Sequence, residues 1–265
     1  MFFVLTTGRS GSKSIAKFLS LSDKVVCLHE PAPVLVEESR KYLSREYDHD
    51  KLVKLLRETR KPCLEGKEYG ESNNRLSFII PALIDAFEDC KFIWLVRDGR
   101  KVVNSYYARG RYDEKFRNKN IFTKNWIEAP QVGDMNLSDW QKMDSFSKCC
   151  WYWSFTNKLI HRHLSELDEH KWIMLRIEDI NDSINDINKF LSINKINEPF
   201  PWINIKKPRK KATDWHDWSD NQKSTFKSIS GDMMDSIYPE WEKEYEREQN
   251  LKAKLRKKLT KYWSS

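Results

Sequence analysis

No stretch of this 265-residue chain comes near the ~20 consecutive apolar residues that a membrane-crossing helix requires. No cleavable leader is expected either. Phe2-Phe3-Val4-Leu5 reads as a core strand that runs directly into a glycine-containing loop, so nothing could be removed without losing the loop. The expectation is a soluble, cytoplasmic protein. The five cysteines are odd in number and none falls in C-x-x-C spacing, which argues against a disulfide framework and suggests a reducing compartment. Metal ligation finds little support. His161 and His163 lie two apart on a helical stretch, where they do not share a face, and no third ligand stands at zinc spacing; no metal is expected. Internal repeats, low-complexity linkers and base-reading nucleic-acid modules are also lacking, so nucleic acid is not the expected partner.

What the chain does have is positive charge. Lys and Arg total 47 against 39 Asp and Glu, for a net charge of +8. Such a surface attracts anions: a nucleotide, an acidic glycan, nucleic acid or anionic lipid. Part of the excess is local, with basic clusters at 206–211 and 252–261. The length suits one domain, 1–265, with a substantial core.

The most informative segment is Thr6-Thr7-Gly8-Arg9-Ser10-Gly11-Ser12-Lys13-Ser14, which follows the first apolar run. Helical spacing opens behind it, with Ile15, Phe18 and Leu19 on one side. That order puts a bend of bare N–H groups at a helix N-terminus, where a phosphate or sulfate is stabilised by amide donors and by the helix dipole. Gly8 and Gly11 allow the backbone angles such a bend needs. Arg9 and Lys13 add charge, and Ser10, Ser12 and Ser14 add hydroxyls. It is not a Walker A loop: anchored on Lys13-Ser14, that motif would need glycines where Thr7 and Ser12 stand. A strand–helix turn that happens to contain glycine is the bland alternative.

A second motif follows the run Lys91 to Val96, which reads as a buried parallel strand. It ends in Arg97-Asp98-Gly99, with Asp98 as N-cap of the next helix. Ser105 lies two turns along that helix, on the same face as Asp98. Arg97 and Ser105 could therefore converge on one phosphate, the guanidinium as a two-pronged donor.

The loop 6–12, then Arg97, then Ser105 followed by Tyr106-Tyr107, resemble the sulfotransferases that use 3′-phosphoadenosine-5′-phosphosulfate (PAPS). The resemblance implies that the loop holds the 5′-phosphosulfate and that Arg97 and Ser105 hold the 3′-phosphate, with 3′-phosphoadenosine-5′-phosphate (PAP) as product. Two weaker matches keep the family order. Trp172 to Ile180 is similar to the family's late strand and its Arg-Tyr-Glu-Asp-Leu-like end. Lys206 to Trp215 stands where the family has a basic loop, so Arg209, Lys210 and Lys211 are expected at the 3′-phosphate, and Trp215 either on the adenine or in the core. The implied fold is P-loop-like: a central parallel sheet flanked by helices in three layers, with a helical C-terminal extension.

Pattern reading along the chain agrees with that class. Strands are expected at 24–28 and 62–65, helices at 33–42, 50–60 and 73–87 (the last kinked by Pro81), and a long aromatic helix at 147–167. Residues 110–146 break the alternation. They are expected to form a cover and acceptor-binding wall, with plain surface insertion as the alternative. A final helix over 240–263 carries a leucine stripe that could pack on the domain or on a second copy, as a homodimer.

For the chemistry, Lys13 stands where it can reach the bridging oxygen of a bound phosphosulfate. Glu30, in Cys27-Leu28-His29-Glu30-Pro31, follows the second strand at the sheet edge where α/β sites form. Pro31 should hold the chain extended there. A similar strand–Glu–Pro arrangement in the carbohydrate branch of the family supplies the base, which favours a sugar hydroxyl as acceptor. His29 is the other candidate base, and strand alternation predicts that it and Glu30 point oppositely. Glu65, Lys67 and Glu68 are expected at the acceptor. A P-loop kinase needing Mg²⁺, and a non-catalytic binder of nucleotide or anionic polymer, are the rival readings.

Overall fold

The computed structural model describes residues 1–61, 63–64, 66–193, 196, 198–201 and 215–243. Phe2–Leu5 forms β1 with all four side chains buried, as a central parallel strand with both faces covered requires. The elements then run α1 (Ser12–Leu19), β2 (Val25–His29), α2 (Val36–Leu43), α3 (His49–Thr59), β3 (Cys63–Leu64), β4 (Lys67–Ser72), α4 (Ile80–Ala86), β5 (Lys91–Val96) and α5 (Gly99–Tyr107). After these come α6 (Ile121–Lys124), α7 (Leu137–Lys142), α8 (Ser145–Leu164), β6 (Trp172–Arg176), α9 (Ile184–Leu191) and α10 (Asp220–Ile237).

The sheet order is β2-β4-β1-β5-β6, parallel throughout, with the two-residue β3 added antiparallel to β4. Side-chain alternation divides the core between two faces. Phe3, Leu5, Trp94 and Val96 join Leu52 of α3, Leu83 of α4, Val103 of α5, Tyr152 of α8 and Phe226 of α10. Phe2, Val4, Ile93 and Leu95 join Phe18 of α1 and Ile187 of α9. The result is a three-layer, P-loop-like α/β fold with the loop-bearing ends of β1, β2, β4 and β5 along one edge. Among the described residues no helix is long and apolar enough to cross a membrane.

Three expectations need correction. Lys-Glu-Tyr-Gly-Glu-Ser at 67–72, assigned to no element from the sequence, forms β4, seated between β1 and β2. Its polar sequence is tolerated because Glu71 is fully buried against Arg60, as described below. Lys67 and Glu68 open that strand, and Glu68 pairs with the Met1 amine at 3.0 Å, at the sheet edge opposite the phosphate loop. They do not reach the site, and Glu65 lies outside the described residues. Pro81 does not kink a long helix. A 3₁₀ turn at Leu76–Phe78 comes first, and Pro81 sits in the opening turn of α4, where a missing N–H costs nothing.

Residues 110–146 fold tightly. Tyr112, Trp126 and Trp140 are buried, and Trp140 packs edge-on against Trp151 of α8 at 5.0 Å. The C-terminal helix expected at 240–263 lies, from residue 244 on, outside the described residues.

Candidate active site

The loop after β1 is bent by three left-handed residues, Gly8 (φ 76°), Arg9 (φ 59°) and Gly11 (φ 86°). A Cβ on Gly8 would stand 2.6 Å from the Tyr106 hydroxyl, and one on Gly11 2.8 Å from Ile177. Gly11 precedes α1 without a side-chain cap, and the first turn carries no acidic residue. The leading N–H groups of α1 are therefore left to a ligand.

The loop is braced from within. Ser77 Oγ accepts from the Thr6 N–H at 2.9 Å and donates to the Thr6 carbonyl at 3.0 Å. The Ser10 hydroxyl lies 3.0 Å from Thr7 Oγ1 and donates to the Gly8 carbonyl, while Tyr106 Oη donates to the Thr7 carbonyl at 2.5 Å. Ser10 and Ser14 are both buried. Ser10 thus braces the bend, whereas Ser12 stands at its mouth.

Arg97, at the tip of β5, donates to the Arg9 carbonyl at 2.8 Å. Arg9 Nε in turn donates to Ser105 Oγ at 3.1 Å. The two motifs, far apart in sequence, meet on Arg9. Asp98 caps α5 by accepting from the Arg100 N–H at 2.8 Å, and Glu178 accepts from the Asp98 N–H at 3.2 Å. Burial lowers the Arg97 pKa, and Glu178 opposes that shift. Among the described residues Arg9, Lys13 and Arg97 form no ion pair. Trp215 sits in an aromatic cluster, 4.8 Å from Trp218 and 5.5 Å from Phe226 between ring centres, with the Arg100 guanidinium over its ring at 5.7 Å. Arg209, Lys210 and Lys211 lie outside the described residues.

On the other flank, His29 ends β2 with its Nε2 3.1 Å from Ser12 Oγ. Burial lowers the His29 pKa; Glu30 opposes this and Lys13 adds to it, which brings these three residues together around the loop mouth. Lys13 itself is exposed on α1. Glu30 is not extended, as Pro31 predicted, but left-handed at φ 49°. Its N–H still donates to the Ser72 carbonyl at 3.2 Å. Strand alternation therefore ends at His29 and does not force Glu30 to the opposite face.

The turn beyond Glu30 is pinned by a buried network. Arg60 grips Glu71 with two hydrogen bonds of 2.8 and 3.1 Å and reaches the Pro33 carbonyl at 2.8 Å. Tyr69 Oη donates to Glu71 at 2.9 Å, and Asn73 Nδ2 bonds both Glu71 and the Val34 carbonyl at 3.2 Å. These contacts outweigh the local preference of the residue before a proline.

Sequence reasoning missed three residues: Arg75 after β4, Arg111 after α5 and Tyr152 inside α8, the last two packed on Tyr106 of α5. Recognition of β4 as a strand would have flagged Arg75, since sites in such folds gather beyond strand C-termini.

No family model matches the chain, and no curated protein does. Solved structures do. The chain is similar to the sulfotransferase domain from the curacin biosynthetic pathway, at 13% identity and TM-score 0.47, over 74% of this chain and 75% of that one. A sulfotransferase from Alicyclobacillus acidocaldarius matches at 13% identity and TM-score 0.49, over 87% and 90%. The sulfotransferase domain of the Synechococcus PCC 7002 olefin synthase matches at 12% identity and TM-score 0.45, over 73% of each chain.

Proposed function

We propose that this chain, acting as one domain over 1–265, is a sulfotransferase that moves the sulfuryl group of PAPS to a hydroxyl acceptor. The observation that carries this reading is the junction at Arg9. There the glycine loop meets Arg97 and Ser105, the pair we assign to a second phosphate. A nucleoside triphosphate needs only the loop; a nucleotide with phosphates at both ends uses both.

The residues fit such a donor. The uncapped α1 terminus offers amide donors, and the left-handed bend turns backbone toward the ligand. Arg9, Lys13 and Arg97 supply cations that, among the described residues, are not paired to carboxylates. Bound there, PAPS would supply an activated sulfuryl group on a phosphate leaving group. The loop amides and Lys13 would neutralise charge on the leaving side, and Arg97 with Ser105 would hold the far phosphate. These cations perform the neutralisation that a kinase assigns to Mg²⁺, so we expect metal-independent turnover.

Glu30 is our assignment for the base, since it stands at the loop mouth with its turn locked by the Arg60–Glu71 network. His29 has a narrower task. Its Nε2 is already engaged by Ser12, and burial keeps the ring neutral, which suits an orienting partner for the loop hydroxyl. A sugar is our proposed acceptor, from the resemblance of the Glu30-Pro31 segment to the carbohydrate branch, with 110–146 as its wall. The described buried, unpaired cysteines fit a reducing, cytoplasmic setting.

Turnover of sulfur-labelled PAPS against a panel of hydroxyl acceptors tests the reading. Glu30→Gln should keep PAP affinity and lose at least about 100-fold in turnover, the size of a general-base contribution. Full activity in that variant, or phosphoryl transfer from ATP–Mg²⁺ in its place, would contradict it.

A further inference from the structure

Past the strand end next to Glu30, the described residues leave two cations without a paired carboxylate. Arg75 is only 5% exposed. Its backbone N–H bonds Asn73 at 3.0 Å, but among the described residues its guanidinium has no hydrogen-bond acceptor and no ion pair. Ser72, three residues before Arg75, accepts from the Glu30 N–H at 3.2 Å, which sets the two residues at the same edge of the sheet. Burial lowers the Arg75 pKa and Arg111 adds to that, while Tyr152, Tyr106 and Glu30 oppose it.

Arg111 is a second, half-buried cation. Its guanidinium lies 3.8 Å from the ring centre of Tyr152, 4.7 Å from Tyr106 and 4.9 Å from Tyr112. One guanidinium nitrogen donates to Tyr112 Oη at 3.5 Å, while among the described residues Arg111 Nε and Tyr152 Oη are buried without a hydrogen-bond partner. Tyr106 ties the group to the phosphate loop through the Thr7 carbonyl. Among the described residues neither guanidinium is paired with a carboxylate, and a buried charge without such a partner is costly. A bound anion offsets that cost.

We propose that Arg75, with Arg111 behind it, binds an anionic group on the acceptor, so that the acceptor is a hydroxyl compound carrying a carboxylate, phosphate or sulfate ester near the reacting oxygen. This rests on the sulfuryl-transfer reading. The donor's own phosphates have their partners elsewhere, on the loop amides and on Arg9, Arg97 and Ser105. What lies beside Glu30 belongs to the acceptor side.

Calorimetry of the PAP-loaded protein with matched probes tests it. Methyl glucuronide against methyl glucoside examines a carboxylate; glycerol phosphate against glycerol examines a phosphate. In at least one pair the anionic member should bind about tenfold or more tighter, the worth of charge-assisted hydrogen bonds. Arg75→Met should abolish that preference and Arg75→Lys should keep part of it, with PAP affinity unchanged in both. Arg75→Met should also melt no lower than the wild type, because it removes an uncompensated buried charge rather than a structural clasp. No preference in either pair, a preference that survives Arg75→Met, or a melting temperature several degrees lower would overturn the proposal. If PAP itself fails to bind, the sulfuryl-transfer reading falls separately, and the same pairs on the unloaded protein still decide the anion site.

Discussion

Glu71→Ala would remove the carboxylate at the centre of the sheet and leave Arg60 buried with an unbalanced charge. Both side chains are enclosed, at 1% and 0% exposure. Arg60 would keep contacts to Thr59 and to the Pro33 carbonyl, while Tyr69 Oη and Asn73 Nδ2 would each lose an acceptor. Breaking a buried ion pair from one side costs about 3–5 kcal/mol. For a chain of this size each kcal/mol moves Tm by roughly 2–4 °C, so a fall on the order of 10 °C is expected. Thermal unfolding at neutral pH, followed by circular dichroism, measures it. The double variant Arg60→Met with Glu71→Leu should regain most of the loss, because apolar replacement of a whole buried pair is often neutral or better. Glu71→Gln, which keeps the shape and weakens the grip on the 33–34 turn, should lower turnover more than PAP affinity. A Glu71→Ala protein melting within about 2 °C of the wild type would refute this account of the central strand.

Other positions give independent checks. Gly8→Ala would force a Cβ to within 2.6 Å of the Tyr106 hydroxyl at φ 76°. With left-handed strain of roughly 1–2 kcal/mol added, PAP affinity should fall about tenfold with the circular dichroism spectrum intact; unchanged affinity would mean the bend is not part of the site. Ser105→Ala removes a neutral hydroxyl partner of Arg9 and should weaken PAP about fivefold, near 1 kcal/mol, as titration calorimetry would show; tighter binding would argue against a 3′-phosphate there. His29 gives a pH signature. Its folded pKa is lowered by burial, so below its ordinary value of about 6.5 the unfolded chain binds protons that the folded chain resists. Its stabilising contribution is complete above that pH and is lost on acidification. His29→Gln should therefore flatten the decline of Tm from pH ~7 to ~5. His163, lowered by burial as well, remains in both proteins and cancels from the comparison. Identical slopes would reject the buried, neutral assignment.

The sequence was most legible where one local pattern carries one physical consequence. Phe2–Leu5 and Phe92–Val96 are short continuous apolar runs, as a strand covered on both faces requires. Gly8 and Gly11, followed by helical spacing, announce a bend at a helix start, and Asp98 announces a cap. The unread parts are those in which distant residues cancel a local penalty. β4 looks polar because Glu71 finds Arg60 from the end of α3 and Asn73 from the next turn, neither of which alternation can reveal. Glu30 departs from the extended geometry expected before Pro31 because its neighbours Pro33 and Val34 are held by that same network. Arg75 went unread because the polar sequence of β4 concealed the strand whose end it follows.

Titration of the purified protein with PAP, with and without Mg²⁺ and alongside ATP, tests the central claim most directly. The account predicts micromolar PAP binding that does not depend on metal, ATP binding far more weakly, and a loss of about tenfold to 100-fold in PAP affinity on Arg97→Ala, as expected for a charged hydrogen-bond donor. ATP–Mg²⁺ binding in the absence of PAP binding would contradict it and give the site to a phosphoryl-transfer enzyme.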